Sequence, residues 1–139
     1  MKAFSVRGNT MDLKGLDHLV ITTKNPEACL GFYRDILGME AVEKDGRWSL
    51  FFGGQKFNIH TRPAEFLPAA AYPLPGSLDL CLRVAGNIEA ARAELLARGA
   101  VLVQDICTRH GARGEMQSLY LRDPDGNLVE LGFYPADAE

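Results

Sequence analysis

Hydrophobic and polar positions follow the same order twice along this chain. In the first half, the segment LDHLVITT (16–23) is rich in apolar and β-branched residues, which predicts a strand. After Asn25 and Pro26, apolar positions recur every three or four residues up to Leu37, so we expect an amphipathic helix that ends at Gly38. Further strands are predicted over 40–43, 48–52 and 56–61. The first half is therefore expected to form a β-α-β-β-β unit.

The second half repeats this order after a connector with four prolines, residues 62–76. The segment SLDLCLRV (77–84) predicts a strand, and residues 87–99 predict a helix that Asn87 caps and Gly99 ends. Three more strands are predicted, over 101–104, 117–122 and 127–133, with a basic loop over 105–115 between the first two. A DPDG turn joins the last two strands. Two equivalent modules are therefore expected.

These boundaries predict one domain over residues 16–134. Module one covers 16–61, the connector 62–76 and module two 77–134, with an N-terminal extension at 1–15 and a frayed tail at 135–139. The fold class is α+β, with paired βαβββ modules that form an open, curved cleft between sheets. A length of 139 residues with 47% hydrophobic and 24% charged residues is typical of one soluble domain.

Charge and composition exclude several classes of protein. A net charge of −3 disfavours nucleic-acid binding, which normally requires a basic surplus on one face. The sequence has neither a signal-peptide pattern nor an apolar run long enough to span a membrane. Its three scattered cysteines form no CxxC pair, which disfavours a disulfide scaffold. We therefore expect a cytoplasmic protein with reduced thiols and no membrane partner.

The repeat also brings four potential metal ligands into two equivalent positions. When Thr23 is laid on Val84, His18 falls on Asp79; when FFGGQKFNIH is laid on LRDPDGNLVE, His60 falls on Glu130. Because side chains alternate along strands, each of these four side chains lies away from the most apolar face of its strand. Two imidazoles and two carboxylates suit a divalent ion such as Zn, Ni, Co, Mn or Fe(II). The sequence thus predicts a shared metal site with no organic cofactor, and the candidate general base is Glu130, or Asp79 if it can leave the metal.

Each candidate also has an ordinary structural interpretation. A single strand histidine is usually a core or surface residue, and Asp79 could pair with Arg83 on the same face. Arg109 and Arg113 suit a substrate carboxylate or phosphate, although their sequence slightly favours a solvated surface loop. Cys81 is a candidate lining residue of the substrate pocket or simply a small packed side chain.

Several motifs of the chain resemble one known superfamily. The motifs are LDHLVIT, FYRDILGM, PLPGSLDLCL and the closing RDPDGNLVEL. Together they resemble the vicinal oxygen chelate superfamily, which includes glyoxalases, bleomycin-resistance proteins and extradiol dioxygenases. QKFNIH and SLYLRDPDGNLVEL are similar, more narrowly, to the glyoxalase domain-containing protein 5 group and its bacterial virulence-protein relatives. The resemblance covers roughly residues 16–134.

This resemblance implies a divalent metal and a homodimer whose chains can share each site. The family's first-strand histidine corresponds to His18 and its last-strand glutamate to Glu130. Its fourth-strand ligand, often glutamate in glyoxalase I enzymes, corresponds to His60, and its fifth-strand ligand, usually histidine, to Asp79. These two departures disfavour lactoylglutathione activity.

The function expected from these features is a glyoxalase-like metalloenzyme, a lyase or isomerase, that acts on a small molecule with vicinal oxygens. Two alternatives within the superfamily are a ring-cleaving Fe(II) dioxygenase and a thiol transferase. A third is a non-catalytic protein that binds an antibiotic or a metabolite and confers resistance.

Overall fold

A computed structural model describes residues 3–6, 8 and 10–138 of the chain. Its strands are β1 His18–Thr22, β2 Glu40–Lys44, β3 Arg47–Phe52, β4 Gln55–His60, β5 Asp79–Arg83, β6 Gln104–Gly111, β7 Gly114–Arg122 and β8 Leu128–Phe133. Helix α1, Pro26–Leu30, continues as π-helical turns over Gly31–Ile36, and helix α2 is Ile88–Ala97. The predicted cap Asn87 is present, because its side chain accepts a hydrogen bond from the backbone N–H of Ala90, and Asn25 caps α1 in the same way through the N–H of Ala28.

The strands form two mixed sheets of four, with orders β1-β4-β3-β2 and β5-β8-β7-β6. In each sheet the first strand pairs in parallel with the last strand of its module, and the other neighbours are antiparallel. The two halves thus have the same topology, which confirms the predicted α+β fold of paired βαβββ modules.

One hydrophobic core serves both modules. Buried side chains of module one, such as Tyr33, Leu50 and Phe57, pack in the same cluster as Leu119 and Val129 of module two. Each sheet therefore turns one apolar face toward the shared core. We call the opposite face of each sheet its open face: the first open face belongs to the sheet of module one and the second to the sheet of module two. The candidate ligands lie on these two open faces.

The region between α2 and β7 differs from the prediction. Residues 101–103 lie outside the strands, and the expected basic loop is instead the end of a β6–β7 hairpin with a two-residue turn at Ala112 and Arg113. Because β6 is an edge strand, about half of its backbone N–H and C=O groups have no neighbouring strand to pair with, and many of its side chains face solvent. Polar residues are therefore compatible with this strand, although in the sequence they resemble a loop.

A five-residue turn between β7 and β8, residues 123–127, belongs to module two but packs against module one. We call it the clasp turn. The buried carboxylate of Asp123 accepts a hydrogen bond of 2.7 Å from the Tyr33 hydroxyl, and burial beside this carboxylate raises the pKa of Tyr33. Asp125 accepts a 2.9 Å hydrogen bond from the backbone N–H of Lys24. At Gly76 in the connector, φ is +78°, and a Cβ atom there would lie 2.5 Å from the Asp125 carbonyl oxygen. The clasp turn therefore contacts module one and the connector together.

The tail is more ordered than expected. Pro135–Asp137 form a 3-10 turn, the Asp137 carboxylate lies 3.1 Å from Nε of Arg83, and the Asp137 carbonyl accepts a 2.7 Å bond from Gly86. The prediction of a frayed end was wrong for these residues because an ion pair and a backbone hydrogen bond hold them. In the part of the chain that is described, no helix has the length and apolar character needed to cross a membrane.

Candidate functional site

The backbone register fixes which positions of the two modules correspond. The N–H of Thr23 donates to the carbonyl of His60, and the N–H of Val84 donates to the carbonyl of Gly132, both over 2.8 Å. If Thr23 corresponds to Val84, as the sequence repeat indicates, His60 corresponds to Gly132. The equivalence of His60 with Glu130 was therefore wrong: the β3–β4 turn has two residues and the β7–β8 turn has five, so an ungapped alignment shifts the strands.

By the same register, the counterpart of Glu130 is Asn58. Asn58 lies beside Val20 on the neighbouring strand, just as Glu130 lies beside Cys81. The position that holds a carboxylate in module two therefore holds a neutral amide in module one. Asn58 therefore lies on the open face at the level of Glu130, and it was not predicted because its counterpart cannot be identified without the turn lengths.

The two histidines of module one lie at different ends of their sheet. His60 pairs with Thr22, four residues along β1 from His18, which corresponds to about 13 Å along the strands. Side chains stand roughly perpendicular to a sheet, so the ring nitrogens of His18 and His60 stay far apart. The two rings also line separate clefts. This placement disfavours a single cation held by both histidines.

His18 has a neighbour suited to orienting its ring. Nδ1 of His18 lies 2.7 Å from a carboxylate oxygen of Asp17, and the His18 side chain is 46% exposed. A carboxylate at one ring nitrogen fixes the ring and leaves the other nitrogen available to a ligand, as in many metal-binding histidines. Asp17 was not among the predicted site residues, although its position directly before His18 is a usable signal.

Glu130 lies centrally on the second open face. The register places it between Cys81 on β5 and Tyr120 on β7. Its Oε2 atom is buried and has no hydrogen-bond partner among the described residues. An unpaired buried carboxylate oxygen is costly, so this atom marks Glu130 as a candidate ligand-binding residue.

Tyr120 and Arg109 form a polar pair beside Glu130. Nε of Arg109 donates a 2.9 Å hydrogen bond to the Tyr120 hydroxyl. The pKa of Tyr120 is raised, first by desolvation and also by the charge of Glu130, although the hydrogen bond from Arg109 opposes this shift. Tyr120 was missed in the sequence because Arg109 was expected in a loop rather than on a strand facing it.

The remaining predicted residues lie around the same region. Asp79, exposed, begins β5, and its alternative partner Arg83 pairs with Asp137 instead. Cys81 and Arg113 line a cleft of about 600 Å³ together with His18, whereas Arg109 lies outside that cleft. The structure therefore brings His18, Cys81 and Arg113 to one cleft and places Glu130 next to Cys81.

A complete metal site is absent from the single described chain. Within residues 3–6, 8 and 10–138, no three His, Cys, Asp or Glu side chains are grouped closely enough to hold a metal ion. His18 lies on the first open face, and Asp79 and Glu130 lie on the second. The ligand candidates are thus divided between the open faces of the two sheets.

The thiol of Cys81 offers a direct probe of Glu130. Desolvation, followed by the negative charge of Glu130, raises the pKa of Cys81 to about 11. The Glu130→Gln variant removes that charge, so its Cys81 thiol is expected to have a lower pKa and to be alkylated about threefold faster at pH 8. Iodoacetamide labelling followed by peptide mass spectrometry measures this rate, with buried Cys29, whose pKa is raised to about 12 by burial, as the internal unreactive control. Equal rates for the two proteins would contradict the proximity of Glu130 to this thiol.

Comparison with known proteins agrees with this architecture. The profile of the Glyoxalase/Bleomycin resistance protein/Dioxygenase superfamily matches residues 15–131. Virulence protein STM3117 of Salmonella typhimurium is 42% identical over 89% of this chain and 87% of its own length. Its crystal structure covers 89% of this chain and superposes with a TM-score of 0.85 over 99% of that structure.

Two further relatives have names that refer to enzymes or enzyme domains. Glyoxalase domain-containing protein RDO1 of Mycosarcoma maydis is 42% identical over 89% of this chain and 70% of its own length. An iron-dependent extradiol dioxygenase of Rhodococcus jostii is 30% identical over 86% of this chain but only 43% of its own length. Since the profile spans most of the chain and the first relatives align along most of their length, the chain belongs to the Glyoxalase/Bleomycin resistance protein/Dioxygenase superfamily.

Proposed function

We propose that this protein is a homodimeric metalloenzyme that acts on a small molecule with two adjacent oxygens. Each of its two sites takes His18 from one chain and Asp79 and Glu130 from the other, around one divalent ion. The observation that carries the proposal is the buried Oε2 atom of Glu130, which has no hydrogen-bond partner among the described residues. A second protein surface with a cation between the two would satisfy this oxygen.

The open faces support a two-fold arrangement. A symmetric dimer contact brings a surface of each chain against its complement on the other, so two copies of one site form together. The first open face carries an apolar side chain near His18 that the single chain leaves partly exposed, Val20 at 39%. Covering the His18 end of this face with the second open face of another chain would bury Val20, bring His18 toward Asp79 and Glu130, and leave the His60 end uncovered.

The donor set fits a divalent cation of borderline or hard character. One imidazole and two carboxylates suit Zn, Ni, Co, Mn or Fe(II), and no thiolate is required. Asp17 at Nδ1 of His18 leaves the opposite ring nitrogen available. With His60 about 13 Å away along the strands, the set contains one histidine rather than two. This favours isomerase or lyase chemistry over a dioxygenase built on two histidines and one carboxylate.

The chain's own residues have distinct roles in such a reaction. A bound divalent ion supplies Lewis acidity to the two oxygens of the substrate. Glu130 would act as the general base that accepts a proton from the substrate carbon and returns it to the product. Tyr120 holds a hydroxyl beside Glu130, and Arg109 fixes that hydroxyl by its 2.9 Å hydrogen bond. Arg113 and Cys81 line the cleft beside His18.

Mixed dimers test whether the site is shared. His18→Ala and Glu130→Gln chains are each expected to bind little metal alone. When the two variants are mixed in equal amounts and allowed to exchange subunits, half of the dimers are mixed and each has one intact site. About a quarter of the wild-type metal content is therefore expected to return. Metal is measured by elemental analysis of the dialysed protein, and mass photometry or ultracentrifugation verifies the dimer.

Each outcome distinguishes between the proposals. Recovery on mixing supports a shared site, whereas no recovery in proteins that demonstrably exchange would indicate that each site belongs to one chain. Wild-type protein that takes up no divalent metal would reject the metalloenzyme altogether and favour a non-catalytic binding protein. If metal binds, turnover is then assayed with thiol adducts of 2-oxoaldehydes, epoxides and catechols.

A further inference from the structure

A second cleft of about 600 Å³ lies on the first open face, toward the end of the sheet that carries His60. We call it the basic cleft. Lys44, Arg47 and Lys56 line it with His60, and Asp45 is the acidic residue among the residues that line it. Lys56 also lines the cleft that contains His18, so the two clefts are adjacent. The metal proposed above does not use these residues.

The cationic side chains of the basic cleft have no ion-pair partner among the described residues. Among the described residues, no carboxylate lies within 4.0 Å of the charged atoms of Lys44, Arg47 or Lys56, although other arginines, such as Arg83 and Arg92, are paired. The chain as a whole has a net charge of −3, so this local excess of positive charge runs against its overall charge. Clefts lined by one sign of charge concentrate ligands of the opposite sign.

The neutral polar groups of the cleft also present donors. Ser49 donates a 3.0 Å hydrogen bond to Oδ1 of Asn58, which leaves the amide NH₂ of Asn58 without an acceptor among the described residues. The Asn58 side chain is half-buried, and the direction of its amide is set by this bond. Guanidinium, ammonium and amide N–H groups therefore converge on the same cleft, and all of them match a carboxylate or phosphate.

Aromatic side chains hold part of this cleft in place. The guanidinium of Arg47 lies 4.0 Å from the centre of the Phe66 ring, and Phe66 contacts the His60 ring edge-to-face at 5.2 Å. Nζ of Lys56 lies 5.7 Å from the ring of Phe51. These contacts fix cationic groups against apolar surface. The cleft therefore combines an anion-binding side with a wall suited to a planar or apolar body.

We propose that the basic cleft binds a small organic anion that carries a carboxylate or phosphate group on a planar, apolar body. Arg47 and Lys56 contact the anionic group, the NH₂ of Asn58 donates a further hydrogen bond, and Phe66 and Phe51 cover the body. His60 thereby has a role in ligand recognition rather than in metal binding. This site depends only on residues of module one and the connector, so it stands independently of the proposed metal.

Trp48 provides the measurement, because it is the one tryptophan of the sequence and it lines the basic cleft. Metal-free protein is titrated with phenyl phosphate, benzoate, inorganic phosphate and the uncharged analogue benzyl alcohol while tryptophan fluorescence is followed. Saturable changes are expected with phenyl phosphate or benzoate. Inorganic phosphate is expected to bind about tenfold more weakly, and benzyl alcohol more weakly still. The ratio between phenyl phosphate and benzoate identifies which anionic group the cleft prefers.

Variants distinguish a built site from general attraction. Arg47→Met and Lys56→Met keep much of the side-chain length but remove the charge, and each is expected to weaken binding about tenfold or more. Lys24→Met removes a charge on the α1 side of the chain and is expected to leave binding unchanged. Equal binding of benzyl alcohol, or equal losses in Lys24→Met and Arg47→Met, would overturn the proposal. The His18→Ala variant separates the two sites, since it is expected to retain anion binding even where metal binding is lost.

Discussion

The His18→Ala variant is expected to weaken divalent-metal binding by at least about 100-fold, while His60→Ala changes it by less than about threefold. Loss of residues that merely orient a ligand already costs 10- to 100-fold in affinity, so loss of the ligand itself should exceed that range. His60 lies four residues along the sheet from His18, beyond the reach of a shared ion. Competition with a chromophoric chelator at constant pH measures both dissociation constants.

The pair of variants is a matched test, because both remove one imidazole from the same open face. A third variant, Asp17→Asn, is expected to weaken binding by about tenfold through loss of the carboxylate that orients His18. Equal losses in His18→Ala and His60→Ala would show that the two rings share one ion despite their register. Circular dichroism and thermal unfolding of each variant verify that the chain remains folded.

The Asp123→Ala variant is expected to lower the free energy of unfolding by about 3–5 kcal/mol. The Asp123 carboxylate accepts hydrogen bonds from the Tyr33 hydroxyl at 2.7 Å, from Nδ2 of Asn127 at 2.7 Å and from the backbone N–H groups of Asp125 and Asn127 at 2.9 and 3.0 Å. Asp123, Tyr33 and Asn127 are all buried, so water cannot easily replace the lost acceptor. Urea denaturation followed by circular dichroism measures the loss.

Two further variants define the source of this effect. Tyr33→Phe removes one of the four donors and is expected to cost about 1–2 kcal/mol. Asp105→Ala removes an exposed carboxylate that also accepts several hydrogen bonds, from Arg92 and Ile106, and is expected to leave the denaturation midpoint nearly unchanged because water replaces it. Equal effects of Asp105→Ala and Asp123→Ala would contradict the importance of the buried network.

The sequence predicts most of the fold because its periodic patterns are local. Three local signals each determine an element without reference to the rest of the chain: the alternation in LDHLVITT, the apolar spacing after Pro26 and the cap Asn87. The β6 strand was missed for the opposite reason. Its residues are polar and basic, and it is a strand because β7 supplies the hydrogen-bond partners.

The candidate site was harder to predict because it depends on register between distant strands. A one-residue shift reverses the face of a side chain, and a two-residue shift preserves the face but moves the side chain along the strand. His60 was predicted on the correct face of the sheet but at the wrong position along it, because only the turn lengths show that Asn58, two residues earlier on β4, is the counterpart of Glu130. The roles of Asp17 and Tyr120 depend on contacts that spacing alone does not encode.

The clasp turn makes the two halves of this protein no longer interchangeable. A chain assembled from two copies of module one would retain both sheets but would have a two-residue turn where residues 123–127 now contact Tyr33, Lys24 and Gly76. Attempts to reduce the protein to a symmetric tandem, whether by design or by reconstructing an ancestral half, would therefore need to transplant this turn together with its partners. The two halves therefore share one strand topology and differ in the turn that joins their last two strands.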